Sequence, residues 1–137
     1  MSEKSDLQRR IGECNAEIEQ IKKDISDMES ESMEFSGYSI TLQGQESSVR
    51  NYDISYGQTW NRDLCDGAIE EQSYVGDGIH DVVDACATTI KELSACIEKA
   101  KQMIRDLHGE IERCKARIKA IEEEEERERE RQRKRNR

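Results

Sequence analysis

The chain lacks proline altogether, and it has one tryptophan, one phenylalanine and 8 glycines in 137 residues. Without proline, no position forfeits its backbone donor, so helices have no fixed stop. Leu, Ile, Val and Phe together number 24, too few for the thick interior of a globular domain of this length. No apolar stretch approaches the roughly 20 residues of a bilayer-crossing helix, and the start MSEKSDLQRR has no signal-like apolar segment. The expectation is therefore a soluble cytoplasmic chain without membrane insertion. Basic residues are outnumbered, 22 against 31, for a net charge of −9, which argues against nucleic acid because like charges repel. Five cysteines without paired spacing do not make a secreted disulfide framework, and reduced thiols are expected. Phosphate-cradling glycine loops, HExxH, GxSxG and CxxC are all missing. The reading is a non-enzyme with no catalytic residue, no cofactor, no metal and no small-molecule substrate.

What the chain does have is period. Leu7, Ile11, Cys14, Ile18, Ile21, Ile25 and Met28 step by four and three residues in alternation, the pattern of a coiled-coil seam. Phe35 falls one heptad further, after a polar Ser32. Ser5, with Gln8 three residues on, offers a capping box for the helix start. A second seam runs unbroken through Ile79, Val83, Cys86, Ile90, Leu93, Ile97, Ala100, Ile104, Leu107, Ile111, Cys114, Ile118 and Ile121. Every residue of one of its two classes is β-branched.

Between the seams the composition changes. Residues 36–78 hold six of the eight glycines, seven acidic residues and only two basic ones. All the aromatics except Phe35 lie here. Apolar spacing through Tyr38, Leu42, Val49, Tyr52 and Tyr56 reads as helix shifted from the first seam by a stutter after Phe35. The reading is helix one at about 5–57, a bend near 57–66, and helix two at about 67–121 with a break at 76–78. Asp77 would serve there as a cap.

Antiparallel pairing of the seams within one chain sets Cys14 against Ile111, Ile21 against Ile104, Ile25 against Ala100, Met28 against Ile97 and Phe35 against Ile90. The numbers in each pair have a constant sum, which centres the turn beside Trp60. Charge agrees: residues 1–35 carry −5 and residues 79–121 carry +1. The expected fold is an all-α, elongated antiparallel helical hairpin spanning 1–121, with a charged helical or disordered tail at 122–137. In that tail, Glu123 with Arg127 and Glu125 with Arg129 have the spacing of favourable i,i+4 pairs. Residues 131–137 read as a solubilising end, with contact to nucleic acid or an acidic partner as the sharper reading.

The residues that could meet a partner are few. Trp60, Tyr52, Tyr56 and Leu64 cluster at the bend, either to plug the hairpin tip or to dock a second protein. His80 with Asp77, Asp81 and Asp84 has the spacing of a metal cluster, but such groups near an acidic helix start more often serve the helix dipole. Cys14 and Cys114 fall in neighbouring layers and read as small apolar core residues.

An acidic helical hairpin with a tryptophan at its bend resembles the Trp-X-Gly family of small type VII secretion proteins, and more closely the YwqH-like accessory proteins of LXG toxins. The triplet here is Trp60-Asn61-Arg62, with arginine at the family's glycine position. No tyrosine is followed four residues later by Asp or Glu, so the resemblance implies that a partner chain carries the export signal. It further implies a chaperone or targeting factor that binds the helical N-terminal region of an LXG toxin, with a second small helical accessory protein as a further partner. On that reading the protein is exported beside its partner. A homo-oligomeric coiled-coil scaffold or adaptor is the alternative.

Overall fold

A computed structural model of the chain describes residues 2–54 and 62–137. It consists of two helices packed against each other, α1 (Glu3–Asn51) and α2 (Arg62–Arg135), and no strand occurs among the described residues. The all-α helical hairpin is thus the fold of the protein. The helices contribute to two compact units: Met1–Ser26 with Glu98–Arg137, and Asp27–Ile97.

Helix α1 starts earlier than the capping box at Ser5 suggests. Ser2 Oγ accepts a hydrogen bond from the Ser5 backbone N–H at 3.0 Å, so Ser2 is the N-cap. Starting there puts Glu3 and Asp6 in the first turn, where negative charge meets the positive end of the helix dipole. At its other end α1 stops at Asn51 rather than near 57. Helix α2 begins at Arg62, so residues 62–66 of the expected bend are helical; 55–61 lie outside the described residues. Helix α2 also runs without a break through Gly76-Asp77-Gly78 and on to Arg135.

In the first unit the seams close on each other. Cys14, Ile18 and Ile111 form a buried cluster, with Ile11, Ile104 and Leu107 packed against it. Cys14 is fully buried, and that burial pushes its thiol above the usual cysteine range. All five cysteines are free thiols. Polar pairs flank this core one heptad apart. Arg10 donates to Glu110 through Nε at 2.6 Å and Nη2 at 3.0 Å, and Arg117 donates to Glu3 at 2.8 and 3.2 Å. Two forked pairs with the charges exchanged between helices suit only one antiparallel register. Lys4 with Glu122, at 3.2 Å, agrees with it. Such partly exposed pairs are screened by solvent, so they specify alignment more than they stabilise.

The end of α2 is held by its own charges. Arg129 pairs with Glu126, Arg131 with Glu128 and Arg133 with Glu130, at 2.9, 3.0 and 3.3 Å. These are i,i+3 pairs in place of the expected i,i+4 ones.

In the second unit the seam keeps its step, but one of its two classes of α1 positions turns polar. The residues of α1 that are not exposed continue as Met28, Ser32, Phe35, Ser39, Leu42, Glu46 and Val49, with no stutter after Phe35. The class filled by Ile11, Ile18 and Ile25 in the first unit is filled here by Ser32, Ser39 and Glu46. Tyr38 stands off the seam, 57% exposed, with its ring edge-on to Phe35 at 6.2 Å between centroids.

The register has a direct check. Arg10→Ala and Glu110→Ala should each lower the thermal midpoint followed by circular dichroism, and the double variant should lose less than the two losses combined. Strict additivity would mean that these side chains do not face each other.

Candidate partner-docking surface

The site is built where α1 ends within the Asp27–Ile97 unit. A helix leaves its last four carbonyls without internal partners. Gln72 of α2 serves one of them: its Nε2 donates to the carbonyl of Val49 and, at 2.7 Å, to that of Tyr52 just beyond the helix. The chain is thus tied down just after α1, and Tyr52 and Ile54 are carried alongside α2. The result is an apolar groove of about 280 Å³ lined by Val49, Tyr52, Ile54, Ala68 and Val75, with Gln72 and Glu71 at its polar edge.

Tyr52 and Val75 of the groove are among the exposed large apolar side chains. Among the described residues, the exposed large apolar side chains are Met33, Tyr38, Ile40, Tyr52, Leu64, Ile69, Tyr74, Val75, Val82 and Met103. All but Met103 fall within Asp27–Ile97. The buried apolar residues distribute the other way: among the described residues, Val83 and Cys86 lie in that unit, whereas Cys14, Ile18, Ala100, Ile111 and Cys114 lie in the first. Exposed apolar side chains that meet in a groove, as Tyr52 and Val75 do, are the mark of an interaction surface.

Beside the groove is a polar cluster joining the helices. Arg50 lies across Gly76, whose missing side chain makes room for it: a Cβ there would come within 2.9 Å of the guanidinium carbon. From that position Arg50 Nη2 donates to Asp77 at 2.9 Å, and Nε is 3.7 Å from Glu46. The glycine read as a kink is therefore a seat for an arginine, and Asp77 is an arginine partner rather than a cap. The other oxygen of Glu46 is 2.7 Å from His80 Nδ1. Asp84 is 3.6 Å from Nε2 of the same ring. The hydrogen bond to Glu46, reinforced by Asp84, holds the His80 imidazole above its usual pKa. Glu46 thus occupies a seam position without being stranded. Among the described residues, no group of three His, Cys, Asp or Glu side chains is placed to hold a metal ion.

Of the four bend residues named from sequence, two are described. Tyr52 is 71% exposed and lines the groove, and Leu64 is 60% exposed on the first turn of α2. Tyr56 and Trp60 lie outside the described residues. The residues assigned to the coiled-coil core, Leu7, Ile11, Ile18, Ile21, Ile25, Ile90, Leu93, Ile97, Ile104, Leu107 and Ile111, are all buried or half-buried. Gln72 and Glu46 carry no signal in the sequence, and Gly76 reads there as a kink, because no local spacing marks a residue whose partner lies on the other helix.

No described helix is long and apolar enough to cross a membrane. Compared with protein-family models, curated proteins and solved structures, the chain matches none.

The His80 cluster makes stability depend on pH with a definite sign. A histidine whose folded pKa is raised adds stability that is fully present below the unfolded value of about 6.5 and fades as pH rises through the folded one. Between pH 5.5 and 8.5 the thermal midpoint of the native chain should fall relative to that of His80→Gln. Parallel curves would show that the Glu46–His80 pair contributes nothing in solution.

Proposed function

We propose that the chain is a non-enzymatic docking module that holds a helical segment of another protein against its Asp27–Ile97 unit. The observation that carries this reading is the segregation of exposed apolar side chains into that unit. Two helices meeting on one face cannot cover side chains such as Leu64, Val75 and Val82, and a further helix laid beside them would. Tyr52 supplies an anchor of the type that dominates binding energy, large in area and restricted to few rotamers.

The resemblance to YwqH-like accessory proteins gives the partner a specific form. On this proposal the chain is a chaperone or targeting factor that binds the helical N-terminal region of an LXG toxin and accompanies it into type VII secretion, with a second small accessory helix in the same complex. The partner supplies both the missing cover for the apolar surface and the export signal.

Co-expression of the full chain with the N-terminal region of an LXG toxin encoded beside it should give a complex that survives gel filtration. Tyr52→Ala combined with Val75→Asp should weaken that complex at least tenfold and leave the helical spectrum of the free chain unchanged. A homo-oligomeric scaffold predicts instead a dimer by light scattering and no complex with the toxin fragment.

A further inference from the structure

Beyond its seam, α2 carries a second heptad-spaced row: Leu64, Ala68, Glu71, Val75, Gly78 and Val82 step alternately by four and three residues. This is the spacing that a straight helix presents to another helix lying along it. The row is accessible. Leu64, Val75 and Val82 are 60%, 48% and 49% exposed, and a Cβ placed on Gly78 would meet nothing within 4 Å. Ala68 and Gly78 would let a neighbouring backbone approach closely.

The surroundings of the row define the charge of whatever covers it. Residues 27–97 contain fourteen acidic and three basic residues. Of the three cations, Arg50 is already engaged by Asp77 and Glu46. By helical spacing, Glu70 and Asp81 flank the row on its outer side. A second copy of the chain meeting this face symmetrically would set two surfaces of the same strong negative charge together. The basic stretch 131–137 of a second copy would match the charge, but residues 122–137 include no apolar side chain, so this stretch has nothing to place against Leu64, Val75 and Val82.

We infer that the Leu64–Val82 row seats one helix of a different protein, and that this helix is amphipathic and basic along the edges of its apolar face. The inference rests on the docking role proposed above and specifies the chemistry of the partner. Apolar residues at heptad spacing fill the row, and lysine or arginine beside them meets Glu70, Glu71 and Asp81.

The test uses the full chain and three synthetic helical peptides of about three heptads, each labelled for fluorescence anisotropy. One has a heptad apolar face with lysine and arginine flanks. The second has the same face with glutamate flanks. The third has the composition of the first in scrambled order. The basic amphipathic peptide should bind at least tenfold more tightly than either control. Val75→Asp with Val82→Asp should abolish that binding although it adds negative charge, and Glu70→Gln with Asp81→Asn should weaken it and flatten its salt dependence.

Equal binding of the scrambled peptide would reduce the effect to unspecific attraction and overturn the inference. Equal binding of the acidic peptide would overturn the charge assignment, and a homodimer lost on Val75→Asp would make a second copy the occupant. If no peptide binds while the toxin fragment still forms its complex, the inference fails and the docking role stands. If the toxin fragment also fails to bind, the docking role falls with it.

Discussion

A hairpin of two helices has a single internal interface, so every side chain it hides from water must sit on the one face where the helices meet. At roughly 25 cal/mol for each Å² of apolar surface buried, the apolar content of that seam decides how firmly each stretch is held. Where Ile11, Cys14 and Ile18 meet Ile104, Leu107 and Ile111, the seam is apolar on both sides. Where Ser32, Ser39 and Glu46 take the corresponding positions of α1, the helices keep their alignment while burying less. The forked pairs of Arg10 with Glu110 and Glu3 with Arg117 guard the register of the first stretch. The Gln72 cap and the Arg50 seat on Gly76 tie the helices together in the second.

That difference links structure to the proposed role. Apolar residues that a self-contained hairpin would place in the seam, such as Tyr38, Ile40, Val75 and Val82, stand outside it in the Asp27–Ile97 unit. A stretch with a weakly apolar seam and an apolar outer surface gains more from a further helix than from its own partner helix. Dense negative charge over the same stretch works against self-association, since like surfaces repel. On the proposed role, exposed apolar surface and selectivity for a foreign helix would both follow from one distribution of residues.

The helices were legible from the 4-3 spacing of apolar residues, and the Cys14–Ile111 layer and antiparallel sense from the constant sum of the paired numbers together with charge. The apparent stutter after Phe35 had a different origin. Tyr38 caught the eye as the next apolar residue, but the true seam ran on through Ser39 and Glu46, whose polarity hid them from a hydrophobic count. Gly76 misled in the same way, since a glycine inside a helix signals weakness unless the arginine that fills its gap is known. Helix α1 ends earlier than expected, beside Gln72 on the Val49 and Tyr52 carbonyls, a contact no local motif encodes. Of the residues proposed to face a partner, Tyr52 and Leu64 were identifiable as apolar side chains near a turn. The row through Val75 and Val82 was not, because Glu71 and Gly78 interrupt its apolar pattern.

The unequal seam is most directly tested by native-state hydrogen exchange on the isolated full-length chain, read residue by residue. Amides of residues 11–21 and 104–114 should exchange slowly, and those of residues 32–49 and 65–86 markedly faster, with helicity present throughout. Uniform protection along both helices would contradict the account, because a hairpin equally stable over its whole length would have no stretch awaiting another helix.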